Sequence, residues 1–377
     1  MTEIVHRLRT EVIDELKRRF VGRDEVIDLI ALAVVAGEHL YLLGPPGTAK
    51  SALIRQFASA LQGRFFEYLL TRFSEPNELF GPIDLVKLRE GTVATVTTGM
   101  LPEAEFAFLD EIFNANSAIL NHLLEVLNER VFRRGAERHK LPLLSMFSAS
   151  NHLPEDEALK ALFDRFLLRC HVDQLPRELM PQLLAAGWAL ERPAPLLASI
   201  TSDELRELSN QVHQVELKNI TERYNDLVFR IRDLGVALTD RRAVKVQKLL
   251  AGSALLCGRM AVNGSDFWVL RYVWDREEQI APLAALVNGV LKEQPEVREK
   301  DAHPLSAIPE RVDGEELARQ LETLEKELSA SSRSLAALAR LREQAAEIAD
   351  RSAWVADVNA RKHLLERANK LLQKIGT

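Results

Sequence analysis

The first half of the chain alternates short apolar runs with helical patterns. Four runs predict strands, at residues 39–43, 65–70, 104–111 and 143–151. Apolar residues at helical spacing lie between them, as in the segment that follows Ser51 and ends at Gly63. Strands that alternate with helices predict a parallel sheet covered by helices on both faces.

The strand pattern disappears after Pro176. Residues 177–292 predict a smaller all-α domain, and the polar, proline-containing stretch 293–312 predicts a linker. A heptad-like leucine stripe then begins a C-terminal helical hairpin over residues 313–377, with Leu317, Leu321, Leu324 and Leu328. The predicted fold is therefore α/β: a parallel-sheet module over residues 1–176, an all-α domain and a helical hairpin.

Composition narrows the functional classes. The chain has 377 residues, with 49 Lys and Arg against 55 Asp and Glu, and its net charge of −6 does not suggest a general polyanion binder. Cys170 and Cys257 fit a reducing compartment and exclude a disulfide scaffold. We find no signal-type leader and no run near the roughly 18 apolar residues of a membrane span, so we expect a cytoplasmic protein.

The stretch LLGPPGTAKS, residues 42–51, follows the first predicted strand and precedes a helix. The phosphate-loop pattern is Gly, four residues, Gly, Lys and Ser or Thr, and here Ala49 replaces the second Gly. Consecutive backbone N–H groups and a helix N-terminus bind phosphate in such a loop. The alternative is an ordinary strand-to-helix turn, which needs neither the Lys nor the Ser.

Each residue type in this loop has a predicted use. Gly44 and Gly47 allow close backbone approach, Lys50 reaches the terminal phosphates, and Ser51 offers a hydroxyl to Mg²⁺. Ala49 fits the loop if its φ is negative. The complete predicted loop comprises Gly44, Pro45, Pro46, Gly47, Thr48, Ala49, Lys50 and Ser51.

An acidic pair ends the buried run FAFL. Asp110 and Glu111 come at the carboxyl end of this predicted strand, where ligands bind in open α/β sheets. Asp110 can hold Mg²⁺ through water, and Glu111 can orient and deprotonate an attacking water. The alternative is a solvated acidic strand end. The sequence therefore predicts that the loop and this pair form one nucleotide site.

Several segments together resemble the AAA+ ATPases of the MoxR group. They are GPPGTAKS, LPEAEFAFLDEI, ILNHLLEVLNER and FSASN, while EYLLTRFSEPNELFGP and TDRRAVKVQKLL resemble the RavA branch. The resemblance runs from about residue 5 to 290. It implies an ATP- and Mg²⁺-dependent ATPase with a nucleotide-binding module and a helical lid, assembled as a hexameric ring. Ala before the Lys is common in this group.

The resemblance also implies roles for matching residues. Asn151, which ends FSASN, resembles the sensor 1 residue that helps to place the attacking water. Arg165 in ALFDRFLLR resembles an arginine finger that reaches a neighbouring subunit's nucleotide, with Arg169 as the competing candidate. Arg241 resembles sensor 2, with Arg242 as its competitor.

Two further features come from the same resemblance. Val21 and Gly22 in FVGRDEV resemble the segment that lines an adenine pocket, although a helix-breaking turn explains them too. Residues 81–105 resemble an insert of this clade, and residues 130–142 resemble the hairpin before sensor 1, with Gly135 in its turn. In related machines these elements face the ring pore or the partner.

The resemblance also points to a class of partner. The resemblance suggests a protein with a von Willebrand factor A domain, which the ATPase remodels. The alternative is a nucleotide-gated assembly switch with slow turnover, and a nucleic-acid motor is disfavoured by the acidic total charge. The RavA branch carries a β-rich inserted domain that has no counterpart here, so partners of that domain are not expected.

Overall fold

The chain forms two compact units, Met1–Ser306 and Ala307–Thr377. The computed structural model describes the following residues: 3–134, 137–190, 200–293, 302–306, 314–330, 341–342, 344–346, 348–349, 352 and 358–375.

Nine strands lie in the first unit. They are β1 (Leu40–Leu43), β2 (Leu61–Gln62), β3 (Phe65–Leu69), β4 (Phe106–Asp110), β5 (Val131–Arg134), β6 (Glu137–Lys140), β7 (Ser145–Ser150), β8 (Leu168–His171) and β9 (Ile200–Thr201), among the described residues. Five strands form the main sheet in the order β3-β4-β7-β1-β8, and every neighbouring pair is parallel. The parallel sheet and its four predicted strands are confirmed.

Strand β8 was not predicted from the sequence. It pairs with β1, and Tyr41 lies opposite Arg169 in the register. An arginine in the middle of a short run breaks the apolar pattern that marks a buried parallel strand. Arg169 is nevertheless completely buried, because charged and polar partners from outside the sheet compensate it.

Helices cover the sheet on both sides. They are α1 (Glu3–Arg7), a π-helical segment (Leu8–Ile13), α2 (Asp14–Arg19), α3 (Asp24–Ala36), α4 (Lys50–Ala60), α5 (Pro76–Phe80), α6 (Leu85–Arg89), α7 (Ser117–Glu129) and α8 (Glu157–Phe163). Helix α3 is almost wholly buried, as its apolar residues predict. The side chain of Asn116 caps α7 and that of Asp156 caps α8, which fixes where both helices begin.

The insert and the hairpin pack on each other. Strands β5 and β6 form the predicted antiparallel hairpin, whereas Gly135 in its turn lies outside the described residues. The ring of Phe132 stacks on Phe80 with centroids 5.0 Å apart. Arg134 donates to the carbonyl of Gly81 over 2.9 Å, so the hairpin is tied to the start of the insert.

Helices dominate the chain after Pro176, with the two-residue β9 as an exception. They are α9 (Met180–Leu190), α10 (Ser202–Val212), α11 (Thr221–Asp233), α12 (Asp240–Leu256) and α13 (Ile280–Lys292), with 3₁₀ segments Gly264–Tyr272 and Glu277–Gln279. Helix α10 lies against the sheet module, where Arg206 pairs with Glu105 at 2.7 Å. Across the described ranges, no helix combines the length and apolarity needed to cross a bilayer.

One carboxylate joins the helical part to the sheet module. Asp275 accepts a hydrogen bond from Arg169 of β8 and one from Arg242 of α12, the latter over 2.7 Å. Both guanidiniums are buried. Although burial alone raises it, the charges of Arg242 and Arg169 hold the pKa of Asp275 below its ordinary value. One carboxylate is therefore shared by two buried cations.

The second unit has a leucine core of its own. Its helices include α14 (Gly314–Ala330) and α15 (Val358–Ile375). The predicted stripe is buried at Leu317, Leu321 and Leu324, which pack in one cluster with Leu364 and Leu371. Of the predicted linker, residues 294–301 and 307–312 lie outside the described part. In the first unit, His303 stacks on Trp268 with centroids 4.6 Å apart.

We expect Asp275→Ala to destabilise the first unit strongly. The change leaves two buried guanidiniums without their shared anion, and breaking a buried ion pair costs about 3–5 kcal/mol. Asp240→Ala is the control, because Asp240 forms an exposed pair with Arg232 in the same part of the fold. Its loss should cost about 1 kcal/mol or less. Thermal unfolding measures both, and equal midpoints would contradict the prediction.

Candidate functional site

Three parallel strands end at the same edge of the sheet. Strand β7 lies between β1 and β4, so the loop after β1 and the acidic end of β4 flank the end of β7. Gly44 donates its N–H to the carbonyl of Ser150 over 3.1 Å. The loop and the acidic pair, distant in sequence, are therefore brought together at the carboxyl edge.

The loop begins with a position that only glycine can fill. A Cβ on Gly44 would lie 2.2 Å from the carbonyl oxygen of Val172, which follows β8. Gly47 has a φ of 81°, which also favours glycine, and a Cβ there would meet no atom within 4 Å. The two glycines thus have different uses. Gly44 allows the loop to pack closely on Val172, and Gly47 allows a left-handed turn where no other atom is near.

The ammonium group of Lys50 lies within the loop. It donates to the carbonyl oxygens of Gly44 and Pro45 over 2.8 and 2.9 Å. Burial lowers the pKa of Lys50 below its ordinary value, and the carboxylates of Asp110 and Glu111 offset part of this shift. The ammonium also lies 3.4 Å from Oγ1 of Thr48. A buried ammonium in contact with these neutral loop oxygens is suited to exchange one of them for a charged phosphate oxygen.

Ala49 adopts a left-handed backbone conformation, opposite to the one predicted from the sequence. Its φ is +65°, so the expectation of a negative φ is wrong. A residue with a Cβ is strained in this left-handed region, at a cost of about 1–2 kcal/mol. Ala49 is the N-terminal flanking residue of α4, and the turn into the helix imposes this φ.

The hydroxyl of Ser51 lies next to the acidic strand end. Its Oγ donates to Oδ2 of Asp110 over 3.2 Å. Oxygen ligands of this kind suit Mg²⁺, which in phosphate sites keeps several waters and takes only one or two protein oxygens. The donor set therefore fits Mg²⁺ with Ser51 and Asp110 as its protein side.

Glu111 is held in a strained position beside the loop. Its φ is +53°, and its backbone N–H donates to the carboxylate of Asp110 over 3.0 Å. Its own carboxylate accepts a hydrogen bond from Ser150 over 3.4 Å. Strained residues of this type concentrate at functional sites. The arrangement directs the Glu111 carboxylate toward the end of β7.

Asn151 and the predicted adenine segment lie at the same edge. Asn151 is exposed directly after β7. Gly22 packs on the segment after β8, because a Cβ there would lie 2.5 Å from a methyl group of Leu175. Val21 is half-buried next to it. The structure therefore places these three residues on the carboxyl side of the sheet, where the phosphate loop also lies.

The two finger candidates have different environments. Arg169 is buried, with its guanidinium bonded to Asp275 and to main-chain carbonyls of its own chain. Arg165 keeps part of its side chain exposed and contacts Asp164 at 3.1 Å. Arg165 precedes β8, so it lies near the amino edge of the sheet. Of the two, only Arg165 has a side chain that solvent reaches.

The sensor 2 candidates differ in the same way. Arg242 is buried and bonded to Asp275, whereas Arg241 is exposed and donates to Asn128 over 2.9 Å. Asn128 lies near the end of α7, where Arg130 donates to the carbonyls of Gly37 and Leu144, just before β1 and β7. Arg241 is therefore at the amino edge, and the structure does not bring it to the phosphate loop of its own chain.

Two residues of this site were missed in the sequence. One is Ser150, which donates a hydrogen bond to Glu111 and directly precedes the predicted sensor residue Asn151. In the sequence, only the alternation of small and polar residues at the end of this strand indicated a site residue there. Arg23 follows Gly22, and its positive charge acts on Lys50. Burial lowers the pKa of Arg23, and Cys170 and Asp173 offset part of this shift. Only the fold brings Arg23 to the loop.

Residues 6–210 match a family model described as the MoxR domain in the MoxR-vWA-beta-propeller ternary systems. The chain belongs to the MoxR family. Residues 215–287 of this MoxR-family chain match the AAA lid domain. The AAA+ assignment of the module and lid is thereby confirmed, while the boundaries drawn from the sequence at residues 176 and 292 stay predictions.

Proteins similar to this MoxR-family chain come from several organisms. Two uncharacterized proteins of Methanocaldococcus jannaschii are each 37% identical, one over 77% of this chain and 76% of its own length, the other over 71% of both. Chaperone MoxR1 of Mycobacterium tuberculosis is 29% identical over 45% of each chain. A crystal structure of a candidate ATPase from Cytophaga hutchinsonii shares the fold, with a TM-score of 0.62, 19% identity and coverage of 77% and 94%.

We expect Ala49→Gly to stabilise the protein by about 1 kcal/mol, because glycine adopts the positive φ without strain. Ala52→Gly is a matched control in the same helix, at an exposed right-handed position. There the same change should destabilise by about 1 kcal/mol. Denaturant unfolding measures both, and shifts of the same sign in the two variants would contradict the strain at Ala49.

Proposed function

We propose that this MoxR-family chain is a Mg²⁺-dependent ATPase that remodels or activates a protein partner. The observation that carries the proposal is the meeting of Lys50, Ser51, Asp110 and Glu111 at one edge of the sheet. A buried ammonium in a glycine-rich loop binds phosphates, and a carboxylate beside it can activate water. Neither the ammonium nor the carboxylate alone is specific for an ATPase site, but their combination in this fold is.

Each residue has a proposed role in hydrolysis. The loop N–H groups and Lys50 bind the β- and γ-phosphates of ATP, while Ser51 and Asp110 hold the metal ion. When bound, Mg²⁺ neutralises charge on the phosphate oxygens. Glu111 takes a proton from the attacking water, which Asn151 helps to place. Val21 and Gly22 line the adenine pocket, and ADP leaves from the same site.

We infer that the active unit is a ring, with six subunits by family resemblance. Arg165 and Arg241 lie toward the amino edge of the sheet, whereas Lys50 and Asp110 lie at the carboxyl edge. Helix α7, which spans these two edges, has 13 residues and is about 20 Å long. Arg241 at its far end is too distant for the γ-phosphate of its own chain. A neighbouring subunit can supply both cations in trans.

The surface supports a protein partner. Large apolar side chains are exposed on the insert and just before it. Leu85 and Val86 of the insert are each 67% exposed, and Phe73, in the turn between β3 and α5, is 93% exposed. Exposed apolar patches mark interaction sites. The matching family model names a vWA component, and we propose a von Willebrand factor A domain protein as the partner. Placement in the RavA-like branch also remains our proposal, based on residues 67–82 and 239–250.

A nucleotide-gated assembly switch would use the same residues. The two functions differ in what the partner does to turnover. A remodelling ATPase is expected to hydrolyse ATP faster when its partner is bound, whereas a switch keeps a slow, partner-independent rate. Steady-state ATP hydrolysis with and without a von Willebrand factor A domain protein from a neighbouring gene distinguishes them.

We expect Glu111→Gln to reduce turnover by about 10²- to 10⁴-fold, since Gln keeps the shape but cannot accept the proton. ATP affinity should persist. Lys50→Ala is the complementary variant and should weaken nucleotide binding by about 1.5–3 kcal/mol through loss of a charged contact. Phosphate release and calorimetric titration measure the two effects. Wild-type turnover in Glu111→Gln would mean that another group is the base.

We expect two inactive variants to restore activity when they form mixed rings. In Arg165→Ala rings every Glu111 site lacks its neighbour's cation, and that loss should cost about 10³-fold in rate. Mixing with Glu111→Gln creates interfaces at which an intact Glu111 faces an intact Arg165. The same interfaces cannot form in a mixture of Arg165→Ala with the double variant, which is the control. If the rings are shown to be mixed and ATP hydrolysis recovers in neither mixture, Arg165 does not act in trans.

A further inference from the structure

Asp164 lies between two arginines with different positions in the fold. Its Oδ2 accepts a hydrogen bond from Nη1 of Arg165 over 3.1 Å. Its Oδ1 lies 3.8 Å from Nε of Arg242, which belongs to lid helix α12. Asp164 directly follows Phe163 as the C-terminal cap of α8, so its backbone position is fixed by the helix. One carboxylate thus contacts the candidate finger on one side and a buried lid cation on the other.

Asp164 lies in a region where buried positive charge exceeds the charge of Asp275. Asp275 is already shared by Arg169 and Arg242, so the local cations exceed its single charge. Within the described part of the chain, the Nε atoms of Arg165 and Arg242 are buried without a hydrogen-bond partner. Asp164 is a second anion in contact with this cluster. Oδ1 of Asp164 therefore forms an ion-pair contact with Arg242 at 3.8 Å, while Oδ2 accepts the hydrogen bond from Arg165.

We propose that Asp164 is a positioning residue for Arg165. The inference rests on the proposed function, in which Arg165 stabilises the transition state in a neighbouring subunit. An arginine side chain has many rotamers, and an ion pair at one Nη restricts them while the other Nη remains available. The carboxylate thereby aims the guanidinium outward before a nucleotide arrives. Pre-orientation of this kind raises the rate of the chemical step rather than the affinity for ATP.

A double-mutant cycle on the full chain tests this role. We expect Asp164→Ala to lower turnover at saturating ATP about tenfold or more, with KM for ATP unchanged within about twofold. In an Arg165→Ala background the same substitution should cause no further loss. Asp164→Asn keeps an acceptor but loses the charge, so its loss should be smaller and should also depend on Arg165.

A control variant separates positioning from stability. Asp156 caps the start of α8, the helix that Asp164 ends, and accepts a hydrogen bond from Ala158 over 2.7 Å. Asp156→Ala should lower the thermal midpoint without changing turnover per assembled ring. Sedimentation is used to confirm that each variant assembles equally.

The outcomes separate this inference from the proposed function. Normal turnover in Arg165→Ala would remove the finger itself, and the positioning role with it. A second outcome is that Arg165→Ala lowers turnover, but the Asp164 substitutions reduce turnover by the same factor whether or not Arg165 is present. Asp164 would then be structural, and only this inference would fail. A loss confined to the Arg165-containing background supports it.

Discussion

The order of three parallel strands is the constraint on which the site depends. Strand β7 separates β1 from β4, and the carboxyl ends of all three lie at one edge. Each end contributes a different group: a loop with an ammonium after β1, a hydroxyl and an amide around the end of β7, and two carboxylates after β4. Any change in strand order would separate them, however well the loop itself were formed.

The backbone near the site carries strain. Among the described residues, Ala49, Glu111 and Arg130 have positive φ without being glycine, and two of these three belong to the candidate site. Ala49 turns the chain into α4, which keeps the loop N–H groups at a helix N-terminus. Glu111 turns its carboxylate toward Ser150 rather than along the strand. In both cases the surrounding packing holds a conformation that the isolated peptide would avoid.

The charged groups are divided between the two edges of the sheet. The carboxyl edge holds Lys50 and the acidic pair, which together are suited to a metal-bound triphosphate. The amino edge holds the exposed Arg241 and the partly exposed Arg165, whereas the buried Arg169 and Arg242 share Asp275. Under the proposed function, a nucleotide site is completed when the amino edge of one copy meets the carboxyl edge of another. This division is the physical rationale for the proposed ring.

The sequence by itself determined the strand–helix alternation, the loop, the acidic strand end and the leucine core of the C-terminal unit. Each of these is a local pattern, because spacing and residue type within one segment are enough to express it. It did not determine strand β8, the sign of φ at Ala49, or which of Arg165 and Arg169 is buried. Those depend on contacts with residues far along the chain, such as Asp275 with Arg169. Only the tertiary structure decides them, since a local pattern carries no information about the partner that compensates a buried charge.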